Sequence, residues 1–196
     1  FNSFNTYGSN FGLFGIGSYF TDDSSVAEEY TRKGKGTNPQ VYSVYLDIKN
    51  PIDMDAVANA DAWKNAAQEV FDEGYFENSK TNEDYFNALK EYSADEEMYR
   101  LDAYEFIESA IEAMGYDGIT HIGGGRFNKD SENRHRVYIT FDPTQIKSVD
   151  NLGTFDKSKG DIRYSKQLDI DGKEFVKVDD TSIDEKNPKD IVKALK

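Results

Sequence analysis

Several residue types that build common functional sites are scarce in this sequence of 196 residues. Cysteine is absent, which excludes disulfides and zinc sites with thiolate ligands. Only two histidines, His121 and His135, are available as imidazole ligands, so we predict no bound metal. No apolar run approaches the roughly 18 residues that a membrane-spanning helix needs, and no secretion signal is visible at the start. Without a membrane-spanning run or a secretion signal, we expect a protein of the cytoplasm that has no membrane partner; the absence of cysteine is neutral about compartment.

Negative charge is plentiful, and it is concentrated in one part of the chain. The sequence has 37 Asp and Glu against 23 Lys and Arg, a net charge of −14. Residues 51–114 hold 17 of these acids and only 4 of the bases, while the remainder is nearly balanced. Binding to nucleic-acid phosphates needs a surface of the opposite sign, so we do not expect a nucleic-acid partner. The simplest interpretation of the acidic part is a solvated helical surface.

Strand and helix patterns alternate in a way that predicts an α+β fold. Aromatic residues make up 14% of the chain, enough to build the core of one domain. Residues 41–48 are rich in β-branched and aromatic residues, which favours a strand that ends at Asn50-Pro51. Residues 58–114 then show a helical period that Gly115 ends, and residues 118–122 and 137–141 predict two further strands. The period places Leu101, Tyr104, Ile107, Ile111 and Met114 on one apolar helix face.

A glycine-rich segment near the start is the first candidate functional feature. Gly12, Gly15 and Gly17 have the reverse spacing of the dinucleotide-binding fingerprint, and they lead into a strand where that fingerprint needs a helix. A Rossmann site is therefore excluded. A tight turn with positive φ angles explains these glycines equally well.

Two tyrosines near this segment are the second candidate feature. Tyr19 stands at the end of a short strand, and Tyr30 stands in a helix that follows residues typical of N-caps. Two rings on facing sides of a cleft could enclose a flat heteroaromatic ring. Ordinary core packing is the alternative, because aromatic residues are common in this chain.

Together these features resemble the nicotinamide-pocket motif of the ADP-ribosyltransferase superfamily. Its poly(ADP-ribose) polymerase branch has the pattern F-G-x-G-x-Y-F-x-D-x-x-S-x-x-x-x-Y, and residues 14–30 match every fixed position without a gap. Later blocks that agree in order are residues 41–51, 115–119, 138–147, 153–156 and 161–165. The string is most similar to the ADP-ribosyltransferase modules of polyvalent proteins from phages and mobile elements, over roughly residues 1–165.

The resemblance implies a fold and a set of site residues. The fold is α+β, with a split β-sheet core around an NAD cleft and an acidic helical insertion at about residues 58–114. Tyr19 matches the central tyrosine of the family's His-Tyr-Glu triad, and Tyr30 matches the ring that stacks on nicotinamide. Ala27 replaces a serine that binds the carboxamide, which removes a hydrogen bond of about 0.5–1.5 kcal/mol. The residues implicated in NAD binding are Gly15, Gly17, Tyr19, Phe20, Ser25 and Tyr30.

Two departures from the family pattern bear on activity. Val137 stands where the triad has a glutamate, and valine can neither stabilise a developing positive charge nor take up a proton. We select Glu132, in the preceding loop, as the catalytic residue beside Tyr19; His135 is a second candidate, and both are otherwise exposed loop residues. The family's first strand, with its His-Gly-Thr or His-Gly-Ser, is expected before Phe1, which favours excision from a longer parent chain.

We therefore expect a mono-ADP-ribosyltransferase that transfers ADP-ribose from NAD to a macromolecular acceptor, taken to be a protein, and releases nicotinamide. A catalytically degenerate binding module and an NAD glycohydrolase, with water as acceptor, remain open as alternatives. Residues 166–196 are expected to be a linker or the start of a neighbouring module, and other domains of the parent chain are expected partners. The expected location is the cytoplasm of a bacterial or phage-infected cell, with delivery into another cell left open.

Overall fold

The computed structural model describes residues 4, 12–33, 40–124, 134–150 and 161–162, together with the backbone of residues 191–195. The strands in these ranges are β1 (Ser18–Thr21), β2 (Ser43–Leu46), β3 (Pro51–Asp53), β4 (Gly118–Gly123), β5 (His135–Thr140), β6 (Ile146–Ser148) and β7 (Ile191–Leu195). The helices are α1 (Ser24–Lys33), α2 (Ala60–Ala66), α3 (Gln68–Asp72), α4 (Asn82–Asp95) and α5 (Arg100–Ala113). A 3₁₀ turn (Pro143–Gln145) precedes β6. The fold is α+β, as the sequence predicted.

All described strands belong to one mixed sheet of the order β3-β4-β5-β1-β7-β2-β6. Only the β3–β4 pair is parallel among these strands, and the other neighbours are antiparallel. The family resemblance implied two small sheets. The structure has one, because β7 pairs with β1 on one side and with β2 on the other. The backbone of β7 belongs to the segment 166–196 that was assigned to a linker or neighbouring module, and residues 166–190 and 196 of that segment lie outside the described ranges.

The two faces of the sheet carry different parts of the core. Directly opposed residues of neighbouring strands share a face, so the pairing of Tyr19 with Ile139, and of Ile139 with Ile119, places these three together. Ile119 and Ile139 pack in the larger cluster with the helices of the insertion, and Tyr19 lies against it. Phe20 points to the opposite face, in a smaller cluster with Val44.

The segment predicted as a helical insertion, with helices α2 to α5, is the crossover between the parallel strands β3 and β4. Its Trp63 is linked to β3 through the side chain of Asn82. The indole nitrogen of Trp63 donates to Asn82 Oδ1 at 2.9 Å, and Asn82 Nδ2 donates to the backbone oxygen of Asp53 at 2.8 Å. A capping box of Thr81 and Asp84 starts α4. None of the helices in the described ranges is long and apolar enough to cross a bilayer.

The element predictions hold best where the pattern is long. β4 and β5 lie within two residues of the predicted strands, and Gly115 has the positive φ (+86°) expected after a helix. The strand predicted at residues 41–48 is β2, which ends at Leu46, before Asn50-Pro51 as expected. A further strand that opens at Pro51 was not predicted; it is possible because β3 is an edge strand and proline is its first residue.

Candidate functional site

The glycine-rich segment forms a tight turn in front of β1. Gly12 and Gly15 exchange backbone hydrogen bonds of 3.1 and 3.3 Å, and Gly15 has a φ of +89°. A Cβ atom on Gly15 would lie 2.5 Å from Cδ1 of Tyr104. Gly17 has a φ of +140°, and a Cβ there would lie 2.8 Å from the backbone oxygen of Thr140. Glycine is therefore required at both positions by the backbone and by close packing, which confirms the turn interpretation.

The side chain of Tyr19 holds this turn closed. Its hydroxyl accepts from the backbone N–H of Phe14 and donates to the backbone oxygen of Gly15, both at 3.1 Å. Gly12 lies directly on the ring, since a Cβ atom there would be 2.1 Å from Cζ. Burial raises the pKa of Tyr19 above its ordinary value, so the phenol is neutral and can donate at physiological pH.

Tyr30 lies near Tyr19 and presents its ring to solvent. It is on α1 with an exposed fraction of 51%. Tyr30 is close enough to Tyr19 to raise the pKa of the Tyr19 phenol. This effect is smaller than the effects of burial and of Tyr104. The structure therefore brings Gly15, Gly17 and Tyr19 together, and it places Tyr30 within electrostatic reach of Tyr19.

Two predicted binding residues face elsewhere. Phe20 is fully buried on the opposite face of β1, with its ring centroid 5.3 Å from that of Phe4. Ser25 is exposed in the first turn of α1, where its hydroxyl and its backbone N–H both donate to Asp23 Oδ1, at 2.7 and 2.8 Å. These two bonds lower the pKa of Asp23 and start the helix. Ser25 thus acts at the start of α1, which carries Tyr30.

Val137 shares the face of Tyr19. It pairs with Thr21 of β1 and with His121 of β4, and only 4% of it is exposed. Its backbone oxygen accepts from the hydroxyl of Thr120 at 2.9 Å. An aliphatic side chain at this point offers no hydrogen bond and no proton acceptor.

Glu132 and His135 are the two candidates for the role of the missing triad glutamate. Glu132 lies outside the described residues. His135 opens β5, half-buried and packed against Gly123, where a Cβ atom would lie 2.3 Å from its Nε2. His135 is also near Asp23, whose pKa it lowers slightly, after the larger effect of Ser25. Because His135 lies near α1, it remains a candidate for the role of the missing glutamate.

Sequence reasoning missed that α5 reaches the glycine turn. Tyr104 packs on Gly15, and Arg100 lies one turn earlier with its guanidinium carbon 6.0 Å from the centre of the Tyr104 ring. One turn later, Glu108 lines a small apolar crevice with Phe14. The helical period had placed Tyr104 on the apolar face of α5, but a period cannot show which distant loop that face contacts.

Among the described residues, no three side chains of His, Asp or Glu converge as a metal site would require. Comparison with known proteins identifies the family. No curated protein and no solved structure matches the chain. Residues 1–155 match the family model described as ADP-ribosyltransferase in polyvalent proteins. With its glycine turn, Tyr19 and Tyr30 in the arrangement above, this chain belongs to the family of ADP-ribosyltransferase domains of polyvalent proteins.

Proposed function

We propose that the domain is a mono-ADP-ribosyltransferase that transfers one ADP-ribose from NAD to a protein acceptor and releases nicotinamide. The observation that carries the proposal is the half-exposed ring of Tyr30 near Tyr19, whose hydroxyl holds the glycine turn, in a chain of this family. An exposed ring near a second ring is placed to stack on a flat heterocycle.

In this proposal the NAD cleft lies on the face of the sheet that carries Tyr19. Tyr30 stacks on nicotinamide, and Tyr19 fixes the turn, which allows the backbone at Gly15 and Gly17 to approach the substrate. Phe20 supports β1 from the opposite face, and Ser25 secures the start of α1. Both therefore help to position the rings without contacting NAD.

The reaction breaks the bond between the ribose C1′ and the nicotinamide nitrogen, and the electron pair leaves with nicotinamide. The acceptor's nucleophile then bonds to C1′ and loses a proton. Val137 can neither receive that proton nor stabilise the ribosyl cation, so we assign these roles to Glu132, with His135 as the second candidate, or to the acceptor itself. Adding a second ADP-ribose requires a ribose hydroxyl to be activated, for which Val137 supplies no carboxylate. We therefore propose a single transfer.

One observation favours a second candidate function. Val137 is almost fully buried among apolar residues, which fits a fold that keeps its scaffold and has lost its catalytic acid. In that case the domain binds NAD or a partner without turnover. We also propose that residues 1–165 carry the NAD and acceptor sites of the domain, that β7 completes its sheet, and that the domain acts in the cytoplasm within a longer parent chain.

The fate of ADP-ribose distinguishes these functions. The intact chain is incubated at high concentration with NAD labelled in its adenine ring, together with a mixture of candidate acceptor proteins. A transferase leaves label covalently bound to protein, as single units after digestion. Free ADP-ribose in an amount equal to the nicotinamide would identify a glycohydrolase instead. Binding of NAD without any release of nicotinamide would identify a binding module, and both outcomes would contradict the proposal.

A further inference from the structure

The helical insertion contains an open groove that is separate from the glycine turn. The groove lies between α2, α3 and α4 and has a volume of about 350 Å³. That volume is in the range of sites that hold small ligands or single side chains. Its apolar lining is aromatic: Phe71, which is 38% exposed, and the buried rings of Phe76 and Tyr85, whose centroids lie 4.8 Å apart. We call it the insertion groove.

Carboxylates accompany these rings. Asp61, Asp72 and Glu77 also line the insertion groove. Asp61 is near enough to Tyr85 to raise its pKa, together with the larger effect of burial. Residues 51–114 as a whole carry 17 acids against 4 bases. An approaching cation is therefore attracted first by the insertion and then by the groove.

The protein's own Lys64 shows that an aromatic face of the groove can take a cation. Its Nζ lies 3.8 Å from the centre of the Phe71 ring, well within the range of cation–π attraction. Lysine has a long flexible stem, so this ammonium can be displaced by another cation. A guanidinium suits the position better, because its planar group stacks on aromatic rings.

We propose that the insertion groove docks a basic segment of a partner protein through an arginine side chain. The guanidinium stacks on Phe71 in place of the Lys64 ammonium, between the carboxylates of Asp61 and Asp72, and the aliphatic stem packs on Phe76. The proposal concerns docking alone and does not rest on the transfer of ADP-ribose. It gives the acidic insertion a partner of opposite charge.

The test is a calorimetric titration of the full chain with an acetylated hexapeptide of alternating glycine and arginine. The peptide is expected to bind, and its glutamate counterpart is not. Phe71→Leu keeps an apolar side chain but removes the ring, and should weaken binding about two- to fivefold, as for an exposed cation–π contact. A surface that attracts the peptide by charge alone would not respond to this change.

Lys64→Ala gives the sharper result, because it frees the Phe71 ring and should tighten binding. Lys90→Ala is the matched control: it removes the same charge from the same insertion, and Lys90 lies over a different ring, Phe86, at 5.9 Å. The Lys64 variant should bind more tightly than the Lys90 variant. Equal affinities for these two variants, no effect of Phe71→Leu, or equally tight binding of spermidine would each overturn the proposal. Circular dichroism confirms that each variant is folded.

Discussion

Tyr19 is predicted to bind a ligand, and in the structure its side chain holds the backbone of the glycine turn. Its hydroxyl bridges Phe14 and Gly15, and Gly12 covers its ring. The same contacts explain why the segment has glycines at close intervals. The ring left open to solvent is that of Tyr30. At this scale we therefore assign the proposed stacking role to Tyr30, while Tyr19 holds the glycine turn.

Replacing Gly17 by alanine should destabilise the fold by about 2–4 kcal/mol, from backbone strain of about 1–3 kcal/mol and a further steric clash. A Cβ atom would lie 2.5 Å from Cγ2 of Ile139 and 2.8 Å from the backbone oxygen of Thr140, at a φ of +140°. Urea unfolding measures the change. Gly115→Ala is the control, since it has a φ of +86° with nothing within 4 Å of the new Cβ. Equal losses of stability in the two variants would show that the steric clash at Gly17 contributes nothing to the loss.

At the scale of elements, α5 shows what a helical period can and cannot predict. Ile107 and Ile111 are buried as the period indicates, but Leu101, assigned to the same face, is 43% exposed, because only the later turns of α5 reach the core cluster. Contact of Tyr104 with Gly15 could not be predicted, since 89 residues separate them and a local pattern contains no information on such pairing.

The pKa of Glu108 on α5 predicts a pH-dependent stability. Burial raises it to about 7, with smaller contributions from Glu112 and Glu105. Because the folded protein holds this proton more tightly than the unfolded chain, ionisation opposes folding, and stability falls as the pH rises from about 4.5 to above 7. Glu108→Gln removes this loss. It should raise the free energy of unfolding by about 1 kcal/mol at pH 8, allowing for solvent screening of a half-buried carboxyl, and by almost nothing at pH 4.5.

Urea unfolding of the Glu108 variant at the two pH values provides the measurement. Glu91→Gln serves as its control, because it removes one negative charge from an exposed site on the neighbouring helix α4. The raised pKa of Glu108 would be contradicted if the Glu108 variant gained the same free energy of unfolding at both pH values. It would also be contradicted if the Glu91 variant showed the same gain.

At the scale of the whole molecule, strand order is the feature that sequence patterns left undetermined. β4 and β5 were predicted because each is six residues long with a regular composition. β3 has three residues and begins with proline, so it was missed. β7 pairs with both β2 and β1, although it begins 145 positions after the end of β2 and 170 positions after the end of β1, and no local pattern could indicate such pairing. The candidate site was predictable in part, because residues 14–30 form it within one continuous segment, whereas the contribution of α5 depends on the folded sheet.

Nicotinamide release from NAD tests the central claim most directly. The intact chain is compared with Tyr30→Ala and with Tyr99→Ala, which removes a tyrosine ring that is 83% exposed on the helical insertion. We predict release by the wild type and by the Tyr99 variant, and a loss of at least about tenfold in the Tyr30 variant, since an interaction of about 1.4 kcal/mol in the transition state corresponds to that factor. Release that is unchanged in a folded Tyr30 variant, or absent from the wild type, would contradict this account.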